Sequence, residues 1–245
     1  MEKIEGLDGL RGIAFLLVFI SHIGTPELEC LGQYGVSVFL IMSGFLLTYN
    51  YWNKKVLNGF DFAIRKLLYL YPLHLICMLA MIVMRCIFNP YSEMEVGMLM
   101  RKVYLNCLMI QEWYSFDRVL SINPTAWYIS TLLLVYALFP FILLTMKKKW
   151  DGRRAIALMI CAIVLQAFIG FIAEYLFSIS ECYSLGINRN VLWWLCYYYP
   201  PTRFLDFYIG CNLGYIYLNN KKDGFKKIMV NHKLGGRSVL LLKYL

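Results

Sequence analysis

The chain has 245 residues, of which 60% are hydrophobic and only 16% charged, and its mean hydropathy is +0.57. A soluble domain runs nearer half apolar and a quarter charged, so this composition excludes an ordinary water-soluble globule, and the length is better counted in membrane spans. The net charge of +9 does not point to nucleic acid, because the basic residues cluster between apolar segments.

The first apolar segment, 7–23, opens on Leu7-Asp8-Gly9-Leu10-Arg11-Gly12-Ile13-Ala14 and closes on Ser21-His22. Arg11 and His22 are about three helical turns apart, so they share a face within roughly 20° and sit ~16 Å apart along the axis. Ionisable residues inside a membrane-length segment are costly and mark functional sites by default. The plainer reading stands beside it: Arg11 as a snorkelling anchor and His22 as a headgroup contact. The second segment, 36–52, contains the small pair Ser43-Gly44. That pair suits either close helix packing or a backbone lying beside a ligand. Arg65 and Lys66 form a dense basic pair at the mouth of the third segment, 67–88, inside which His74 reads as a packed or hydrogen-bonded histidine. Further segments fall at 126–146, 155–177 and 203–218. Each of the six approaches the ~20 residues that a spanning helix needs. The expected fold is therefore all-α, a polytopic transmembrane helical bundle over residues 1–218, followed by a basic cytoplasmic tail at 219–245.

The charges between segments alternate. Lys3 and Arg11 open the first; Lys54, Lys55, Arg65 and Lys66 follow the second; Lys147 to Arg154 follow the fourth; and Lys221 to Lys243 follow the sixth. By the positive-inside rule these regions and both termini are cytoplasmic. Residues 96–113, which carry Arg101, Lys102, Asn106 and Gln111, then cannot cross once, and they read as an interfacial or re-entrant helix on the outer side. The run Trp193-Trp194-Leu195-Cys196-Tyr197-Tyr198-Tyr199 reads as an outer aromatic belt, with a sugar-stacking surface as the alternative. The eight cysteines contain no CxxC pair and read as small buried hydrophobes, so no metal site is expected. Cys30 and Cys182 fall in loops on one side, which makes a pairing between them the only one to consider. The sequence carries no P-loop, GxSxG or HExxH motif.

Taken in order, the motifs resemble the integral-membrane acyltransferase 3 family, which includes the O-antigen and exopolysaccharide O-acetylases. The Leu7–Ala14 opening with His22 is similar to that family's first helix, and Gly35-Val36-Ser37-Val38-Phe39-Leu40 leading to Ser43-Gly44-Phe45-Leu46 to its second. Phe62 through Arg65-Lys66 to Tyr71-Pro72-Leu73 is similar to its basic, proline-terminated third. Trp127-Tyr128 with Tyr136 and Pro140, then Arg203-Phe204 with Phe207 and Gly210, are similar to two later helices. The family's second basic position is Tyr69 here, and a frequent Glu position is Leu132.

The resemblance implies transfer of an acyl group, often acetyl, from acetyl-CoA or another acyl-CoA to a hydroxyl of a cell-envelope glycan or lipid-linked sugar. It also implies a location in the bacterial cytoplasmic (inner) membrane, among membrane lipid and with no nucleic-acid partner. A histidine with near-neutral pKa suits a general base, and CoA phosphates call for Arg and Lys. The expected catalytic residues are His22 and Arg11, and the expected donor-binding residues are Arg65, Lys66, Ser43 and Gly44. With about six helices where the family has about ten, the chain reads as a C-terminally short member. A non-enzymatic polysaccharide translocation or assembly protein and an inactive truncated member are the alternatives.

Overall fold

The computed structural model describes residues 4–23, 25, 28, 30–54, 58–88, 93–113, 122–183 and 189–241. Lys3, Lys55, Arg118 and Lys243 lie outside the described residues. Among the described residues there is no strand. The helices are α1 (Glu5–Ile23), α2 (Cys30–Tyr51), α3 (Gly59–Phe88), α4 (Glu93–Cys107), α5 (Trp127–Lys149), α6 (Gly152–Tyr183), α7 (Arg189–Trp193) and α8 (Pro200–Leu241). A π-helical turn, Trp194–Tyr198, joins α7 to α8. Successive long helices run up and down. One end of the bundle carries Arg11, Lys54, Lys66 and Lys147 and is termed the basic end. The other carries Trp127 and the run 193–199 and is termed the aromatic end.

Among the described residues, five helices are long and apolar enough to cross a membrane: α1, α2, α3, α5 and α6. α1, α3 and α6 turn large apolar side chains outward, among them Phe15, Phe19, Leu73, Ile76, Val164 and Phe168. Lipid tails are as apolar as a protein core, so such faces need no protein partner in a bilayer. The expected sixth segment, 203–218, is not among those five. It lies in α8, which continues without a break to Leu241, past the boundary expected at residue 218. Its hydropathy is lowered by Arg203, Asp206 and Asn212, all of them buried. α8 is thus the interior helix of the bundle, packed on α2, α5 and α6, and these three polar residues face protein.

Close approach between α2 and α8 depends on glycine. A Cβ on Gly44 would fall on the Phe207 carbonyl and 2.8 Å from the Cys211 nitrogen, and one on Gly210 would fall on the Ile41 carbonyl. Gly210 and Gly214 are spaced as a GxxxG pair, the spacing that lets membrane helices meet backbone to backbone. Around this crossing Phe62, Val135, Phe139, Met146, Phe207 and Cys211 form the main core. At the basic end it is closed by Trp150 Nε1 donating to Asn212 Oδ1 at 3.0 Å and Tyr215 Oη donating to the Trp150 carbonyl at 2.8 Å.

α4 has 15 residues and is not of membrane length. The chain then reverses through Met109, at a left-handed φ of 58°, and Gln111 Nε2 donates to the Ala126 carbonyl at the start of α5. The cysteines correct the sequence reading: Cys211 alone is buried, whereas Cys30, Cys86, Cys161 and Cys182 are exposed, and none of the eight is in a disulfide. Composition cannot separate a core-facing cysteine from one on a lipid-facing surface, because both surroundings are apolar.

Candidate functional site

Near the basic end, α1, α2, α3 and α5 border an open cavity of about 550 Å³. Its lining includes Arg11, Ser43, Asn50, Lys54, Lys66 and Tyr136. Three sequence-predicted residues, Arg11, Lys66 and Ser43, therefore converge from three helices. Three cations face the space, and among the described residues its lining holds no carboxylate. Lys54 Nζ lies 4.4 Å from the centre of the Tyr51 ring and Lys66 Nζ 5.9 Å, so one aromatic face gathers both ammonium groups. Lys147 fixes the rim, donating to the Lys54 carbonyl at 2.9 Å. Arg11 pairs with Asp8 at 3.3 Å, but both side chains are about half exposed, 51% and 48%. Such a pair is weak, and the five-donor guanidinium keeps hydrogen bonds to spare.

The other predicted residues lie elsewhere. Arg65, one residue from Lys66, is exposed and outside the cavity lining. Gly44, one residue from Ser43, faces α8 and serves the helix crossing described above. Adjacent helical residues point 100° apart, and here only one member of each pair lines the cavity. Ser43 Oγ donates to the Phe39 carbonyl at 2.8 Å and also meets the Tyr128 hydroxyl. His22 is exposed at the aromatic end of α1, outside this cavity. Its Nδ1 is 2.7 Å from the Val18 carbonyl. A carbonyl oxygen only accepts, so this contact places the proton on Nδ1 and leaves Nε2 with its lone pair. His74 is buried with Nε2 2.8 Å from the Asn106 carbonyl, as a packed, hydrogen-bonded histidine would be.

Sequence reasoning did not find the most polar point of the interior. Arg203 Nη1 donates to Asp206 Oδ2 at 2.9 Å and to Ser37 Oγ at 2.9 Å, and Arg203 Nε donates to the Tyr197 carbonyl at 2.7 Å. Ser37 Oγ in turn donates to Asp206 Oδ2 at 3.1 Å, and Gln166 Nε2 to Asp206 Oδ1 at 2.9 Å. Arg203 and Asp206 are 6% and 4% exposed, and each charge has several partners, which is the condition for holding ions in a low dielectric. An available signal was Asp206 and Gln166 standing inside apolar segments; their partners on α2 and in the aromatic run carried no such mark.

A family model described as an acyltransferase domain matches residues 4–230. The chain is 26% identical over 235 residues to the acyltransferase MdmB of Streptomyces mycarofaciens, a match covering 87% of this chain and 57% of that protein. It is 25% identical over 248 residues to the O-acetyltransferase OatA of Staphylococcus aureus, covering 96% of this chain and 38% of that protein. The chain thus spans between about two fifths and three fifths of the length of these curated relatives. No solved structure matches it significantly.

Proposed function

The chain belongs to the acyltransferase family described by that domain model, and from this premise we propose that it moves an acyl group from acyl-CoA to a hydroxyl of a cell-envelope glycan or lipid-linked sugar. The relative named an O-acetyltransferase favours acetyl as the group and oxygen as its acceptor. The observation that carries the reading is the cationic cavity at the basic end. A CoA thioester bears a pyrophosphate and a 3′-phosphate, and charge-assisted hydrogen bonds from Arg and Lys are the interactions suited to them. Arg11, Lys54 and Lys66 would take the phosphates at the rim, with Ser43 and Tyr136 nearer the acyl end.

The orientation follows from the same charges. The basic end faces the cytoplasm, where acyl-CoA is made, and both termini lie on that side of the bacterial inner membrane. His22 is then at the outer end and is the general base. Its Nε2 takes the acceptor hydroxyl proton as the oxygen attacks the acyl carbonyl. The new C–O bond forms, the C–S bond breaks, and the CoA thiolate leaves as the thiol with the proton that the His22 imidazolium gives up. Arg11 and His22 are separated by ~16 Å of helix, so Arg11 holds the phosphate end of the donor while His22 serves the acceptor.

Calorimetric titration with acetyl-CoA tests the donor site. Hydrogen bonds to charged groups are worth about 1.5–3 kcal/mol, so Lys66→Gln and Arg11→Gln should each weaken binding by about tenfold or more. Arg65→Gln, outside the cavity, should leave it unchanged. Parental affinity in Lys66→Gln would remove the cavity from the donor site.

A further inference from the structure

Between Arg154 and Glu181, α6 carries one charged side chain, Glu174. A carboxylate in a membrane-length helix is costly, and this one is exposed and not packed in the core. Gln166 shares a helical stripe with Gly170, Ala173 and Glu174, at spacings of four, seven and eight residues. The lower member of that stripe, Gln166, donates to Asp206. The upper members open onto a second cavity of about 210 Å³ at the aromatic end. Its walls include Glu174 and Gly170 of α6, Gln33 of α2, Trp193 of α7, and Cys196 and Tyr197 of the π-helical turn.

This space is built. Gly170 lines this space and is exposed, and a Cβ placed on it would meet no atom within 4 Å, so a larger side chain there has room to project into the space. Tyr197 is fixed from behind: Arg203 holds its carbonyl and lies 4.5 Å from the centre of its ring. The Trp193 ring stands edge-on to Tyr197, with centroids 5.9 Å apart and planes at 81°. Two aromatic rings, a carboxylate and a primary amide thus line one small space.

We propose that this outer cavity is a pyranose-binding subsite, which holds a sugar ring of the acceptor. A pyranose presents an apolar C–H face, which suits an aromatic wall, and a rim of hydroxyls, which suits a carboxylate accepting and an amide both donating and accepting. The cavity adjoins the end of α1 that carries His22. A Cβ on Gly32, the neighbour of Gln33, would lie 2.5 Å from Ser21 Oγ and 4.0 Å from the Tyr197 hydroxyl, and Ser21 precedes His22. Along α2, Gln33 in this cavity and Ser43 in the donor cavity are ten residues apart, ~15 Å. Two spaces of different chemistry therefore lie at opposite ends of the same helices, the cationic one for a polyanion and this one for a neutral ring. The word acceptor rests on the acyltransferase reading; the sugar site itself does not.

Saturation-transfer NMR on the full chain in lipid nanodiscs tests the subsite, with methyl β-glucopyranoside, methyl β-galactopyranoside and methyl N-acetyl-β-glucosaminide as probes. Acetyl-CoA affinity is measured in parallel. The parent should bind at least one glycoside. Trp193→Ala should lose at least tenfold in that affinity. Gly170→Leu should do the same by filling the floor, while suiting the helix and meeting no packed backbone. Both variants should keep parental affinity for acetyl-CoA. A parent that binds none of the three glycosides, or a Gly170→Leu variant that binds them as the parent does, overturns the proposal. Loss of glycoside binding in both variants, with a parent that does not bind acetyl-CoA, supports the sugar subsite and removes the donor reading instead.

Discussion

Replacing His22 with alanine is expected to slow acyl transfer by about 10²–10⁴-fold, the usual cost of losing a general base, with acetyl-CoA binding and thermal stability kept at parental levels. The separation of effects follows from geometry. His22 is exposed and outside the cationic cavity, so its removal leaves no void in the core and takes nothing from the proposed donor site. Its Nδ1 is committed to the Val18 carbonyl at 2.7 Å, which leaves Nε2 free to accept a proton. Transfer of labelled acetyl from acetyl-CoA to a methyl glycoside, measured beside calorimetric binding, checks this. A variant that transfers at the parental rate rules His22 out as the base. His74 is the remaining histidine within a span, but it is buried against Asn106.

The second large effect falls on stability. Arg203→Met should destabilise the bundle by about 3–5 kcal/mol, because it strands the buried Asp206 carboxylate without its counter-charge. Ser37 and Gln166 would remain as partners, but neither carries charge. The double variant Arg203→Met/Asp206→Ala should recover part of that loss, since it leaves no uncompensated buried charge while Ser37 and Gln166 lose their acceptor. Thermal midpoints in detergent read both. A single variant as stable as the parent would mean that the pair does not organise the interior.

Much of the architecture was legible from hydropathy and charge. Five of the six expected segments are membrane-length helices, and the polar segment 96–113 falls in the short α4 and the turn after it. Arg11, Ser43 and Lys66 were found together because basic residues at span mouths and small polar residues within spans are conspicuous in so apolar a chain. The choice between neighbours was not legible. Lys66 faces the cavity and Arg65 does not, and Ser43 faces it while Gly44 packs on α8, because helical phase is set by which partner covers each face. The Ser37–Arg203–Asp206–Gln166 network joins residues up to 169 positions apart, a pairing that no local pattern encodes. The low hydropathy of α8 signals an interior helix, and only its packing against α2, α5 and α6 reveals that.

The central claim is that the donor enters at the basic end and the acceptor at the aromatic end. The direct measurement uses proteoliposomes in which the full chain is oriented with its basic end facing the lumen. Labelled acetyl-CoA is sealed inside, and methyl β-glucopyranoside, methyl β-galactopyranoside and methyl N-acetyl-β-glucosaminide are supplied outside. The account predicts acetylated glycoside in the external medium, formed by the parent and lost in His22→Ala. Labelled glycoside formed only when donor and acceptor share one compartment would contradict it.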